Sequence, residues 1–286
     1  MRVNLSTLNP RDAVDKKIRE VLEQINYKVS VMSGKGGVGK SLIASYMAVA
    51  LARSGLKVGL LDLDFHGPSS HLFLGLRSKR PGLTLDKVEP VEGPLGVKVM
   101  SLAFLTPEEE SPIIWRGPLK SSAIIQLLTE VNWGNLDFLV IDMPPGTGDE
   151  ALTLAQTVKY IDGSLIVTIP SDVAKNVVAR AINFAKLVGI KPIGLVENMS
   201  YFYCPGTNTK YYIFGDSVVE TLSSKYKIPI LAKIPLDPEL PEYVKNGRIL
   251  IIDKPESPLS RSFNEMVSNL LNILNNINSS STKSGR

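Results

Sequence analysis

A short apolar run at residues 29–32 leads directly into GKGGVGKS at 34–41, and a stretch with apolar residues at helical spacing follows over 41–53. The pattern GxxxxGK[ST], set between a strand and a helix, constrains the fold more than any other feature of the chain. Gly34, Gly36, Gly37 and Gly39 let the backbone of the loop, with Lys35 and Val38 between them, curl its N–H groups round phosphate oxygens. Lys40 can then reach the β and γ phosphates, and the Ser41 hydroxyl can ligate Mg²⁺. A glycine-rich turn that merely caps a helix is the bland alternative, and the strand before the loop and the helix after it argue against that. The loop therefore predicts a bound nucleoside triphosphate, ATP, with Mg²⁺.

Further strand-like runs lie at 58–61, 97–100, 138–141, 165–169, 193–196 and 230–234, and helical patterns at 41–53 and 174–188 each end at a glycine, Gly55 or Gly189. The runs are continuous rather than alternating, as in strands covered on both faces. Repeated strand-then-helix order predicts an α/β fold, a mostly parallel sheet with helices on both sides. The expected organisation is a helical arm over 1–26, a nucleotide-binding domain over 27–277 and a polar, disordered tail over 278–286.

Bulk properties exclude several classes. In 286 residues no apolar run approaches the ~18 residues of a membrane span. The opening MRVNLSTLNPRDAVDKKIRE mixes both charge signs without an apolar core, so a secretory signal is not expected and the cytoplasm is. The 32 basic residues exceed the 28 acidic ones only slightly and are spread along the chain, which gives no focused footprint for nucleic acid. The single cysteine, Cys204, rules out an internal disulfide, and a metal site made of thiolates alone would need a second chain.

The run at 58–61 ends in DLDFHGPS and the run at 138–141 in DMPPGTGD, which sets Asp62, Asp64 and Asp142 at carboxyl ends of strands, on the edge that carries the phosphate loop. A carboxylate there can hold the water that attacks the γ-phosphate or bind Mg²⁺ through water; Asp142 suits the second task. Any one of them could cap a helix instead, but three on the same edge weaken that reading. Pro144, Pro145, Gly146 and Gly148 suit a switch that feels the γ-phosphate. His66 and His71 read as switch or surface residues. Asn198, after the run at 193–196, could read an adenine edge or simply form a turn. Lys35 occupies a position that need not be basic: it could stay solvated, or reach a neighbouring subunit's nucleotide and add charge in the transition state.

GKGGVGK resembles the deviant Walker A of the MinD, ParA and nitrogenase iron-protein superfamily. The stretch WRGPLKSSAIIQLLTEVNWGNLDFLVIDMPPGTGDEALTLAQ at 115–156, together with DLDFHGPS and ENMSYFYCP, looks like its Mrp/ApbC branch, the iron–sulfur cluster carrier ATPases. The likeness runs from about 27 to 252. It implies that Lys35 crosses the interface of an ATP-bound homodimer, that Lys40 and Asp64 are catalytic with Asp64 holding the attacking water, and that Asn198 reads adenine. It also implies that IPLDPEL, with Pro235 and Asp237, closes over the base, that Ser41, Asp62 and Asp142 serve Mg²⁺, and that apo iron–sulfur proteins are clients.

One departure stands out. The family carries a CPxC pair after ENMSYF, and two pairs across a dimer supply four thiolates to a bridging cluster. Here the text is Cys204-Pro205-Gly206-Thr207, so a dimer offers two thiolates and other groups must complete any cluster. A regulatory ATPase that has lost its cluster, or a positioning switch of the ParA or MinD kind acting on a partner, DNA or membrane, is the rival. The apolar stripe Phe263, Met266, Val267, Leu270, Leu271 and Leu274 bears on this, since relatives of MinD use a terminal amphipathic helix on membranes. Its neighbourhood lacks the lysines and arginines of an interfacial helix, which predicts core docking.

Overall fold

The computed structural model describes residues 10–105, 117–158, 160–171, 174–204, 206–207 and 209–283. Its helices are α1 Pro10–Leu22, α2 Lys40–Arg53, α3 Ser70–Phe73, α4 Gly117–Thr129, α5 Asp149–Thr157, α6 Ala174–Leu187, α7 Val219–Tyr226, α8 Leu240–Lys245, α9 Leu250–Asp253 and α10 Pro258–Lys283. Its strands are β1 Ile25–Ser33, β2 Val58–Asp62, β3 Gly82–Leu83, β4 Val88–Glu89, β5 Val91–Glu92, β6 Lys98–Ser101, β7 Leu136–Asp142, β8 Gly163–Thr168, β9 Pro192–Glu197, β10 Phe202–Tyr203, β11 Lys210–Tyr211 and β12 Ile230–Lys233.

An eight-stranded sheet in the order β12-β9-β8-β1-β7-β2-β6-β5 forms the core, and every neighbouring pair is parallel except the edge pair β5–β6. Each strand-like run of the sequence is a strand of this sheet. Every residue of β2, β8 and β9 is buried, so the sheet is covered on both faces, as continuous apolar runs require. Parallel register aligns the carboxyl ends: Asp62 of β2 lies beside Asp142 of β7 on one side and Ser101 of β6 on the other. That edge is where the phosphate loop leaves β1.

The central helix α2 is buried from Lys40 to Leu51 and packs on β1, β2, β7 and α10. With Ile43, Met47 and Leu51 removed from water, each worth about 1.5–3 kcal/mol, it is fixed far more firmly than propensity alone would manage. Gly55 and Gly189 adopt positive φ just past α2 and α6, the backbone state that ends a helix and that glycine enters without strain.

The termini differ from the sequence expectation. α1 buries Ile18 and Leu22 in the same core as the sheet and packs on α4, and β1 begins at Ile25, ahead of the apolar run at 29–32, with Ile25 buried too. The stretch beginning at 278, expected to be disordered, continues α10 to Lys283; once a helix is docked, each added residue contributes a hydrogen bond without a new nucleus, and Ser279 Oγ donates to the Asn275 carbonyl. The tail residues 284–286 lie outside the described residues. The apolar stripe of α10 docks on β12 and α2, with Phe263, Met266, Val267, Leu270 and Leu274 buried and Leu271 packed at the margin.

Candidate nucleotide site and the Cys204 hairpin

The loop between β1 and α2 is shaped by its glycines. Gly37 and Gly39 sit at φ +77° and +79°, and a Cβ on Gly34 would lie 2.4 Å from the Val177 carbonyl, so the loop passes hard against α6. Val38 is buried, Gly36 and Lys35 are exposed, and Lys35 makes no ion pair among the described residues. Ser33 Oγ donates to the Lys35 carbonyl at 3.0 Å.

Beneath the loop lies a compact charged cluster. Lys40, 5% exposed, places Nζ 2.5 Å from Asp142 Oδ1 and 3.6 Å from Asp64 Oδ2, with Ser41 Oγ 3.5 Å away. Burial works against the Lys40 ammonium, but Asp142, with Asp64 and Asp62 behind it, outweighs that and holds its pKa above the ordinary lysine value. Asp62 and Asp142 are fully buried side by side. Burial first, and the charge of Asp142 second, push Asp62 up to about 7.

Asp62 is engaged on both oxygens: Oδ1 accepts from the Asp64 N–H, and Oδ2 from the Ser70 N–H and the Ser101 hydroxyl, each at 3.1 Å. Its carboxylate thus closes both ends of the 64–70 loop. Asp64 Oδ1 accepts from the His66 and Gly67 N–H groups at 3.2 and 3.3 Å, which leaves Oδ2 toward Lys40. The Ser41 hydroxyl and the Asp142 carboxylate are hard oxygen donors beside concentrated negative charge, which fits Mg²⁺. Among the described residues no group of three or more His, Cys, Asp or Glu side chains is arranged to hold a metal, as expected where a cation shares its ligands with phosphates and water.

The segment after β7 is tied to the loop by the Gly146 N–H, which donates to the Ser33 carbonyl at 2.9 Å. His66 Nε2 lies 2.7 Å from Glu150 Oε1 at the start of α5, and Lys120 of α4 pairs with the same carboxylate, so the segments after β2 and β7 share a partner. His71 is buried, not at the surface, with its ring edge-on to Phe104.

Asn198 sits in the turn that follows β9, one of the two roles its sequence position suggested. It is buried, and its amide donates to the Val38 carbonyl at 3.0 Å, pinning the phosphate loop from the β9 side. Beside it Glu197, fully buried, accepts from Ser200 Oγ at 2.6 Å, Ser217 Oγ at 3.0 Å and the Val218 N–H at 2.9 Å, which holds the turn after β9 against α7. Glu197, Ser70, Ser101 and Glu150 escaped the sequence reading. ENMS held the first in plain view, but a lone glutamate after a strand carries no distinguishing spacing.

Cys204 lies apart from this cluster, on the hairpin β10–β11, where its N–H donates to the Thr209 carbonyl at 3.1 Å and its carbonyl accepts from the Thr207 N–H at 3.3 Å. Pro205 is outside the described residues. Half-buried, Cys204 lines a cavity of about 830 Å³ whose walls include Tyr201, Tyr203, Pro235, Asp237, Arg261 and Glu265. Pro235 and Asp237 therefore face the cysteine's cavity, and none of the glycine-rich loop lines it.

A parallel sheet with a glycine-rich loop at its central strand, a buried lysine under that loop and acids on the flanking strand ends defines a nucleotide-binding P-loop NTPase. Residues 24–271 match the family model described as ParA, the NUBPL iron-transfer P-loop NTPases. The chain belongs to this family. It is 47% identical over 264 residues to the iron-sulfur cluster carrier protein of Saccharolobus solfataricus, covering 92% of this chain and 88% of that protein. Among solved structures, the nucleotide-binding protein of Archaeoglobus fulgidus in complex with ADP superposes with a TM-score of 0.76 at 39% identity, covering 87% of this chain and 96% of that one. The cell division protein MinD of Aquifex aeolicus shares the fold, with a TM-score of 0.64 at 20% identity over 86% of this chain and 97% of that one. The expected α/β architecture and the expected family both hold.

Proposed function

We propose that this chain is a cytoplasmic ATPase that works as a homodimer and carries iron–sulfur clusters to apoproteins. The observation that carries the ATPase reading is the buried Lys40 ammonium shared by Asp142 and Asp64 under the glycine-rich loop. Phosphate oxygens in the loop offer Lys40 a competing anion, and exchanging Asp142 for them turns Asp142 Oδ1 toward a cation. Ser41 and Asp142, with Asp62 behind them, would hold Mg²⁺, which supplies positive charge against the phosphates. Asp64 has one oxygen fixed by backbone N–H groups, so the other can orient the attacking water for conversion of ATP to ADP and phosphate.

Asn198, Pro235 and Asp237 serve the base side of the nucleotide in this reading. Lys35, exposed, completes the site of a second subunit, where a cation supplied in trans stabilises transition-state charge. The cluster is cargo, anchored by one Cys204 thiolate from each subunit and completed by thiols or side chains from outside. Support comes from the Saccharolobus relative, a cluster carrier by name, and from the ADP held by the Archaeoglobus relative.

Thr207, standing where the family has its second cysteine, favours one rival, a regulatory ATPase without a cluster. A membrane-positioning switch has less support: no helix among the described residues is long and apolar enough to cross a membrane, and the apolar face of α10 is spent on β12 and α2. Anaerobic reconstitution with iron and sulfide, with iron counted per dimer and phosphate release measured in parallel, separates the readings. Iron bound with ATPase activity supports the carrier; ATPase activity with no iron supports the regulatory protein.

A further inference from the structure

Two carboxylates forced together in a dry interior repel each other, and each of their oxygens needs a donor. The parallel register of β2 and β7 imposes this on Asp62 and Asp142. Asp142 Oδ1 takes the Lys40 ammonium, and Asp142 Oδ2 takes the Ser70 hydroxyl at 3.0 Å. Asp62 Oδ2 takes the Ser70 backbone N–H at 3.1 Å. Among the described residues Ser70 is thus the one that bonds both acids, with its amide on one and its hydroxyl on the other.

Ser70 is itself fully buried, and its carbonyl accepts from Ser45 Oγ of α2 at 3.3 Å, so it is braced against the helix that follows the phosphate loop. The two partners of Asp142 differ in kind. Lys40 is long and has the phosphates as an alternative anion. Ser70 is short, buried and bonded on three sides, and among the described residues its hydroxyl donates to Asp142 alone.

We infer that Ser70 is a positioning residue for Mg²⁺: its hydroxyl keeps the Asp142 carboxylate aimed while Lys40 changes partners, and its amide, bonded to Asp62, holds Ser70 at the end of the 64–70 loop that carries Asp64. The inference rests on the ATPase reading above and adds a residue outside the GKGGVGKS loop and its acids. Partners that orient a metal-holding carboxylate are worth roughly 10- to 100-fold in metal affinity or activity when removed.

The test compares the parent with Ser70→Ala and Ser70→Cys, the latter close in size but a weak donor. With ADP bound, Mn²⁺ is titrated and the free ion followed by electron paramagnetic resonance; the Mg²⁺ requirement of ATP hydrolysis and metal-free nucleotide affinity are measured alongside. Ser70→Ala should bind Mn²⁺ at least about tenfold more weakly and need correspondingly more Mg²⁺, with metal-free nucleotide affinity unchanged, and Ser70→Cys should fall between. If Ser70→Ala melts below the assay temperature, Ser70→Cys decides alone, by weakened Mn²⁺ binding. Parental Mn²⁺ and Mg²⁺ dependence in the folded variants overturns the inference, even where kcat drops. A parent that hydrolyses no ATP at any Mg²⁺ concentration sinks the ATPase reading instead.

Discussion

The Asn198 amide donates to the Val38 carbonyl, and from Asn198 a ladder of backbone bonds runs on to the Cys204 hairpin: Ser200 N–H to the Ile234 carbonyl at 2.8 Å, then Leu236 N–H to the Tyr201 carbonyl at 2.7 Å. The turn that touches the phosphate loop and the segment that presents the cysteine are one continuous piece of chain. Pro235 and Asp237, on the other rail of this ladder, line the cavity that Cys204 faces.

That continuity predicts that nucleotide alters the chemistry of the thiol. Alkylation of Cys204 by iodoacetamide should change rate when ATP and Mg²⁺ are added, and Asn198→Ala should abolish the change while lowering ATP affinity roughly tenfold, the loss expected for one or two hydrogen bonds. A thiol that reacts at one rate under all conditions would break the proposed link.

The two lysines should separate cleanly. Lys40→Ala leaves Asp62 and Asp142 buried without their cation, so it should lower Tm by several degrees as well as weaken ATP binding. Lys35→Ala removes an exposed ammonium: Tm and binding should stay at parental values while turnover falls roughly 100-fold or more. Calorimetric melting and phosphate release on both variants check this, and full hydrolysis by Lys35→Ala would remove the trans lysine.

Asp64→Ala should trap the ATP-bound dimer. The oxygen that orients the attacking water is gone, whereas the loop and Lys40 remain, so light scattering with ATP and Mg²⁺ should show a persistent doubled mass where the parent returns to monomer as ATP is consumed. A monomeric ATP complex in both proteins would count against the dimer.

For Cys204→Ser the expectation is loss of any reconstituted cluster with ATPase activity retained, because the cysteine's cavity is separate from the glycine-rich loop. With two thiolates per dimer the parent's cluster should also be stripped readily by chelators. Iron counting and absorption spectra give the answer; a stable cluster retained by the serine variant excludes Cys204 as an anchor.

The sheet was legible because its strands are runs of apolar residues and its phosphate loop is spelled out in consecutive letters. Asp62, Asp64, Asp142 and Lys40 could be placed together because parallel strands bring their ends to one edge. What joins them was not legible: Ser70 meets Asp142 across 72 residues of chain and Ser101 meets Asp62 across 39, and a serine carries no periodicity that marks it as buried. The turn at Asn198 was legible but its bond to Val38 was not, because that bond depends on how tightly β9 is laid beside β8, which spacing cannot reveal. The extension of α10 was missed for a related reason, since composition reports the weak helix propensity of serine and asparagine but not the docked turns ahead of them.

The placement of α10 also orders events during synthesis. Arg261, Ser262 and Glu265 of α10 form a wall of the Cys204 cavity and are synthesised after the cysteine itself, whereas the phosphate loop and its acids all precede residue 143. A nascent chain can therefore assemble its phosphate-binding edge while the cysteine still lies in an open trough, with the α10-facing flank of α2 uncovered. A chain cut short before 258 would keep its phosphate-binding residues but lack the α10 wall of the cavity beside the thiol.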